Sequence, residues 1–270
     1  MSEMLKAVLF GIVEGITEWL PISSTGHMIL LDEFVKLNMS ASFVSMFLVV
    51  IQLGAIMAVV LLYFDKIWPF ERGLRLQPGK VALWCKILVA CIPAAVVGLL
   101  FDDWIDEHFY NPWTVAVMLI LFGIGFIWIE NYNKKQLPKT TSLDAISYKD
   151  AFLVGMFQLV AAVFPGTSRS GSTILGSIAL GWKREIAAEF TFFLAIPVMF
   201  GASLLKVMKH GLSFSGEELA VLAVGLIVSF VVSIVAIKFL MAYIKKHDFK
   251  VFGWYRIVLG VLVIAYFALK

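Results

Sequence analysis

Charged residues and cysteines are scarce in this 270-residue sequence, and both shortages restrict the kind of protein it encodes. Asp, Glu, Lys and Arg form 15% of the chain, whereas soluble domains contain about 25%. The net charge of +3 is too small to indicate a nucleic-acid partner. The two cysteines, Cys85 and Cys91, are spaced to face different sides of one helix, which argues against a disulfide or a metal site. We expect both to be small buried apolar residues.

Apolar residues are abundant instead, at 61% of the chain and a mean hydropathy of +0.92. This excess is too large for one core surrounded by water, so we predict a single membrane domain over residues 1–270. The apolar runs are continuous and lack the alternation of barrel strands, and about 20 such residues span a bilayer as a helix. We therefore predict an all-α polytopic protein surrounded by membrane lipids. Its six transmembrane helices are expected at 43–63, 81–101, 113–131, 186–207, 219–241 and 251–269.

Two further apolar segments are interrupted by polar residues, which leaves arms too short to span a bilayer. Residues 7–30 are broken at 21–27, and residues 151–180 are broken at 165–172. Irregular backbone at membrane depth is stable only where protein surrounds it or where it lines a wet cavity. We interpret both segments as re-entrant helix–loop–helix hairpins, the first of which extends over 7–40.

The loop charges predict the orientation of the chain. Lys and Arg concentrate in the loops at 64–80, 132–149 and 242–250, whereas the loop at 102–112 has neither and the loop near 208–218 has one lysine. Because cytoplasmic loops are enriched in Lys and Arg, we place the first three loops in the cytoplasm. Both termini are then expected on the outer side of the membrane.

The two interrupted segments are similar to each other at an offset of 144 residues. The matched pairs are Ala7–Ala151, Leu9–Leu153, Gly11–Gly155, Pro21–Pro165 and Ser24–Ser168, and Gln158 replaces Glu14. Three spans follow each segment, and an odd number of spans inverts the second copy relative to the first. We predict an inverted repeat of residues 1–131 and 150–270, whose hairpin tips meet near the bilayer midplane.

Glu14 and Glu18 lie on one face of the first arm because they are four residues apart. Two carboxylates inside a membrane are costly and need a cation, a proton or an arginine. We interpret them as ligands of a divalent cation, either Mg²⁺ or Ca²⁺. The alternative is a helix face that reaches water at the outer rim.

The first break combines hydroxyl groups with an imidazole. Ser23, Ser24 and Thr25 precede Gly26, whose turn would free backbone N–H groups to bind an anion, and His27 follows within reach of the hydroxyls. A serine beside a histidine is an arrangement of nucleophile and base. The alternative is a Ser/Thr cluster that satisfies the backbone of a broken helix.

Arg169 lies in the second break, where a guanidinium inside the membrane requires a strong partner. A guanidinium matches phosphate in a bidentate fork. We expect Arg169 to bind phosphate, or to form a structural ion pair with Glu14 or Glu18. The residues expected to complete the phosphate site are Gly166, Thr167, Ser168, Ser170, Gly171 and Thr173.

These motifs, EGITEWLPISSTGH at 14–27 and PGTSRSGST at 165–173, resemble the undecaprenyl-diphosphate phosphatase family of the bacitracin-resistance type. The resemblance covers essentially the whole chain, with Trp19 where phenylalanine is expected. It implies hydrolysis of a polyprenyl diphosphate, undecaprenyl diphosphate, to undecaprenyl phosphate and inorganic phosphate, which recycles the lipid carrier for cell-wall synthesis. It also implies a divalent metal and an active site that opens to the outer face of the bacterial inner membrane.

The resemblance places the family's functional residues at Glu14, Glu18, Ser24, His27 and Arg169. We predict that Ser24 attacks the terminal phosphorus and that Glu18 or His27 accepts its proton. The alternative is attack by His27 through a phosphohistidine. A lipid-phosphate transporter or flippase is the rival function, because inverted repeats with broken helices also build transporters. The sequence is compatible with a homodimer.

Overall fold

The protein is described by a computed structural model in which most of the chain is helical. The described residues are 1–71, 75–134, 136–211 and 213–270, without the side chains of Asp102 and Asp106. Two of the basic residues in the loops placed in the cytoplasm above, Arg72 and Lys135, lie outside the described part. The helices in that part are α1 (Glu3–Thr17), α2 (Ser24–Phe34), α3 (Ala41–Val50), α4 (Gln52–Leu62), α5 (Phe64–Ile67), α6 (Pro78–Phe109), α7 (Pro112–Asn133), α8 (Tyr148–Val163), α9 (Arg169–Ala179), α10 (Arg184–His210), α11 (Gly216–Ile244) and α12 (Lys250–Leu269).

Six helical segments in the described part of the chain are long and apolar enough to cross a membrane, which confirms the prediction of an all-helical, multi-pass membrane protein. They are Ala41–Leu62, Pro78–Phe101, Pro112–Asn133, Arg184–His210, Gly216–Ile244 and Lys250–Leu269. Their outward faces carry large apolar side chains, such as Leu99 and Val235, which are 69% and 65% exposed. A helix that is apolar on all sides suits lipid contact, because no face of it requires water.

Two expectations about α6 were wrong. The segment 102–112 is not a loop over most of its length, because α6 continues to Phe109. Acidic residues do not break a helix, and α7 begins at Pro112 after the N-cap residue Asn111, whose side chain accepts a hydrogen bond from the Thr114 amide at 2.9 Å. Cys85 is exposed rather than buried, and Cys91 is half-buried. Within a span, an exposed side chain meets lipid, so apolar character does not require burial inside the protein.

Both breaks are shorter than predicted because a serine caps the helix that follows each of them. Ser23 and Ser168 have φ angles of 75° and 69° and accept hydrogen bonds from the Gly26 and Gly171 amides at 3.3 and 3.1 Å. The second arm of each segment therefore begins directly after its capping serine. Ser24 to His27 and Arg169 to Ser172 lie in the first turn of a helix, not in irregular backbone.

The caps also correct the register of the internal match at the tips. Ser23 corresponds to Ser168 in conformation and hydrogen bonding, which is one residue beyond the offset of 144 that pairs Ser24 with Ser168. Gly11 and Gly155, which the internal match pairs with each other, have similar surroundings in the structure, because each lies against a backbone carbonyl of another helix. A Cβ at Gly11 would lie 2.9 Å from the Gly225 carbonyl oxygen, and a Cβ at Gly155 would lie 2.4 Å from the Ala90 carbonyl oxygen.

Gly11 and Gly155 each lie where one arm of a broken segment packs closely against a membrane-spanning helix. The arm α1 packs along α11, whereas α8 packs along α6, and α7 packs along α12. Gly123 and Gly253 face each other at the crossing of α7 and α12. The ends of α1 and α9 meet at one point in the interior, where the Ser170 hydroxyl donates to the Glu18 carbonyl at 2.9 Å.

Candidate active site

Glu18 is the centre of a polar cluster that joins the two broken segments. It caps the C-terminal end of α1 and is 5% exposed. Its Oε2 accepts a hydrogen bond from the Ser24 hydroxyl at 2.6 Å, and its Oε1 accepts one from Arg169 Nη2 at 2.8 Å. The structure thus brings a carboxylate, a hydroxyl and a guanidinium from two distant motifs into direct contact.

Arg169 is held on two sides and retains one unused donor. Its Nη1 donates to the Thr191 carbonyl at 2.8 Å, and its guanidinium carbon lies 5.7 Å from the centre of the Trp19 ring. Its Nε is buried and has no hydrogen-bond partner within the described part of the chain. The ion pair with Glu18, which the sequence left as an alternative to phosphate binding, is present, and Nε still has a free N–H to offer an anion.

Glu14 lies one turn before Glu18 on α1 and is 1% exposed. Its Oε1 is buried without a hydrogen-bond partner among the residues that the structure describes. An unpaired carboxylate oxygen is costly to bury and suits a cation or a proton. In the same described residues, no group of three or more His, Cys, Asp or Glu side chains could hold a metal. A divalent cation at Glu14 and Glu18 therefore fits the site only with further oxygen ligands from substrate, water or hydroxyl groups.

His27 contacts groups other than the one expected. Its Nδ1 lies 2.7 Å from the Ser23 carbonyl oxygen, and its Nε2 lies 2.6 Å from the Tyr255 hydroxyl. Because a carbonyl can only accept, Nδ1 carries the proton and Nε2 accepts from Tyr255 in the neutral imidazole. The hydrogen bond of the Ser24 hydroxyl goes to Glu18. The geometry therefore offers Ser24 a carboxylate base, and not the imidazole that neighbouring positions in the sequence suggested.

Two hydroxyl groups predicted to bind phosphate instead connect the helices. Ser170 donates to the Glu18 carbonyl, and the Thr173 hydroxyl contacts both the Arg169 carbonyl and the Thr191 hydroxyl at 2.9 Å. Their hydroxyls satisfy buried polar groups of the protein instead. This arrangement fixes the position of Arg169 relative to Glu18.

The remaining predicted residues differ in how available they are to a ligand. The Gly26 and Gly171 amides are engaged by the serine caps. Thr25 and Ser168 are partly exposed. The Thr167 hydroxyl is buried and makes no hydrogen bond to any described residue.

Arg256 is a residue of the site that the sequence reasoning missed. It lies on α12 and is fully buried, and its Nη1 donates to the Pro21 carbonyl at 3.2 Å. Its Nη2 donates to the Gly166 and Thr167 carbonyls at 3.0 and 2.7 Å. One guanidinium thus ties both breaks together. The signal was available, because Arg256 is the only charged residue between 251 and 269.

Replacement of Arg256 by leucine is expected to destabilise the protein by about 3 kcal/mol or more, because each buried carbonyl left unpaired costs about 1–3 kcal/mol. Thermal unfolding in detergent measures the effect. Lys238→Leu is the matched control, since Lys238 is exposed on α11. A melting temperature for Arg256→Leu equal to that of the control would contradict the proposed tie between the breaks.

Together, fold and site define a polytopic helical membrane protein with a buried ionic site assembled from two interrupted helices. The family model "Bacitracin resistance protein BacA" matches residues 7–262, and the chain belongs to that family. A relative from Desulfitobacterium hafniense, named "Undecaprenyl-diphosphatase", is 63% identical over 100% of this chain and 98% of its own. "Undecaprenyl-diphosphatase 1" of Clostridium acetobutylicum is 61% identical over 98% of this chain and 97% of its own. These matches confirm the resemblance that the two motifs indicated.

Proposed function

We propose that this chain is an undecaprenyl-diphosphate phosphatase. It hydrolyses undecaprenyl diphosphate to undecaprenyl phosphate and inorganic phosphate, and so recycles the lipid carrier of cell-wall synthesis and confers resistance to bacitracin. Family membership and the names of the relatives support this reaction. The structural observation that carries it is the contact of Glu18 with both Ser24 and Arg169, beside an Arg169 N–H and a Glu14 oxygen that have no hydrogen-bond partner among the described residues.

Ser24 is the proposed nucleophile. Its oxygen attacks the terminal phosphorus while Glu18, 2.6 Å away, accepts the proton. The bond from this phosphorus to the bridging oxygen breaks, and undecaprenyl phosphate leaves. Water then hydrolyses the phosphoserine and releases inorganic phosphate. His27 is the alternative nucleophile, but its contacts with Ser23 and Tyr255 favour a role in holding the tip of α2.

Charge stabilisation is assigned to Arg169 and the two glutamates. In phosphoryl transfer, positioning and electrostatics supply most of the catalysis. The free Nε of Arg169 would bind a phosphate oxygen while its other nitrogens keep their protein partners. Glu14 and Glu18 would hold a divalent cation, Mg²⁺ or Ca²⁺, which supplies further positive charge to the phosphate oxygens when bound.

The re-entrant hairpins and the inverted repeat belong to the same proposal. The arms α1, α2, α8 and α9 contain 15, 11, 16 and 11 residues, fewer than the roughly 20 that span a bilayer. The pairing of α1 with α11 and of α8 with α6 supports two copies, 1–131 and 150–270, because each broken segment packs on the other copy. The outer position of both termini is the orientation that the loop charges favour, and a site that opens to the outer face of a bacterial inner membrane is what the family resemblance implies. A homodimer stays a prediction.

Phosphate release by the purified protein tests the function. With an undecaprenyl or a shorter polyprenyl diphosphate, we expect the wild type to release phosphate in a chelator-sensitive way and to recover with Mg²⁺ or Ca²⁺. Arg169→Ala should lower the rate about 10²–10³-fold, the usual loss for one key donor, whereas Arg75→Ala on an exposed loop should not change it. Movement of the lipid across vesicles without phosphate release would favour the flippase and contradict the hydrolase.

A further inference from the structure

A cavity of about 320 Å³ lies at the end of α9 opposite the candidate active site. Arg169 begins α9 in the active site, whereas Ile178 and Ala179 near its end line this cavity. The 11 residues of α9 extend about 16 Å at 1.5 Å per residue. The cavity is therefore separate from the site where hydrolysis is proposed.

The cavity has a surplus of positive charge. The cationic side chains that line it are Lys139, Lys183, Arg184 and Lys245. The buried Glu130 forms a two-point ion pair with Arg184, and Glu185 lies 3.0 Å from Lys183. Lys139 and Lys245 form no ion pair with a described residue, so two positive charges remain for an anionic ligand.

Uncharged N–H donors belong to residues that line the same cavity. The helix α10 begins at Arg184 without a side-chain cap, so the backbone amides of its first turn are available at the positive end of a 27-residue helix. The preceding residue, Trp182, is 3% exposed and lines the cavity. Its indole Nε1 is buried and unpartnered among the described residues. A tryptophan N–H normally has a partner when it is buried, and an oxygen atom of an anion would supply one.

Apolar side chains are also exposed beside the basic residues of the cavity, which favours a lipid over a free anion. Leu137 and Tyr132 line the cavity and are 91% and 60% exposed. Tyr132 stacks with the exposed Trp128 of α7 at 5.9 Å between ring centres. Exposed aromatic side chains at the end of a span are typical of the membrane–water interface. The basic cavity thus lies where a lipid headgroup and its acyl chains would meet the protein.

We infer that this cavity binds the phosphate headgroup of an anionic membrane lipid, at a site distinct from the active site and on the face predicted to be cytoplasmic. Lys139 and Lys245 supply charge, and the start of α10 and Trp182 supply hydrogen bonds. Basic pockets between spans on the cytoplasmic side are suited to anionic headgroups.

Lipid titration monitored by native mass spectrometry tests this site. We expect the wild type to bind phosphatidylglycerol in preference to phosphatidylcholine. The double variant Lys139→Gln/Lys245→Gln should bind phosphatidylglycerol about 10- to 30-fold more weakly, given the usual contribution of each basic residue near an anionic lipid. Ala179→Trp, which fills the cavity without changing a charge, should also weaken binding.

The matched control is Lys149→Gln/Lys246→Gln, which removes two exposed charges from the same predicted face outside the cavity. Thermal unfolding shows that each variant is folded. An equal loss in the control pair would assign the effect to general surface charge and overturn the site. Unchanged binding in both the Lys139→Gln/Lys245→Gln and the Ala179→Trp variants would also overturn it. Displacement of phosphatidylglycerol by millimolar inorganic phosphate would identify a free-anion site instead of a lipid site.

Discussion

Ser24→Ala is expected to lower the rate of phosphate release by about 10⁴-fold or more, the largest effect of any single substitution in this chain. Loss of an attacking hydroxyl removes the covalent step, and the surrounding charges retain only part of the catalysis. The substitution deletes one oxygen at a partly exposed position whose hydroxyl contacts Glu18, so the fold should persist. Steady-state phosphate release in detergent, combined with trapping of the phosphoenzyme, measures the effect.

Ser45→Ala is the matched control, because Ser45 is exposed on α3. It should release phosphate at the wild-type rate. Acid-labile phosphate on His27 in the trapped enzyme would replace the proposed mechanism with the phosphohistidine route. Near-normal turnover of Ser24→Ala would also refute Ser24 as the nucleophile, since another group would then attack the phosphorus.

Glu18→Gln is the second large effect, with an expected loss of about 10³-fold or more. The carboxylate accepts one hydrogen bond from Ser24 at 2.6 Å and one from Arg169 at 2.8 Å. An amide of the same shape has only one oxygen and can accept at only one of these two positions. It cannot take the proton of the nucleophile, and its NH₂ group would face a donor on one side. Removal of a base and of a charge partner in one step exceeds the loss of about 10²–10³-fold typical of one donor.

The control for this variant is Glu33→Gln, which removes a partly exposed carboxylate 2.6 Å from Lys270. Turnover of Glu33→Gln should match the wild type, because the ion pair of Glu33 with Lys270 involves no residue of the candidate active site. Phosphate release by Glu18→Gln within tenfold of the wild type would refute the role of Glu18 as base.

The spans were predictable because membrane crossing depends on a property that adds along the chain. About 20 apolar residues give a helix of spanning length wherever they occur, and the predicted spans 43–63 and 219–241 agree with Ala41–Leu62 and Gly216–Ile244. The ends of the broken arms were less predictable. Ser23 and Ser168 each cap a helix from an unusual backbone conformation, and such a cap depends on a single side-chain contact that periodicity does not reveal.

The candidate site was predictable in its members and not in its contacts. The buried charges of Glu14, Glu18 and Arg169 were identifiable from the sequence alone, because charge inside an apolar, membrane-embedded segment is expensive. The hydrogen-bond partners of these side chains were not predictable from the sequence. His27 appeared to serve Ser24 because they are three residues apart, yet it bonds to Tyr255 from a helix more than 200 positions away.

By itself, the sequence determined that this protein is a membrane-embedded helical bundle with two interrupted segments, because hydropathy and charge are properties of each residue and its near neighbours. Only the tertiary structure decided that Glu18 takes both Ser24 and Arg169 as partners, and that Arg256 ties the two breaks together. These contacts depend on the packing of α1 against α11, α8 against α6 and α12 against α7. Side chains separated by well over 100 residues become neighbours only after those helices have packed.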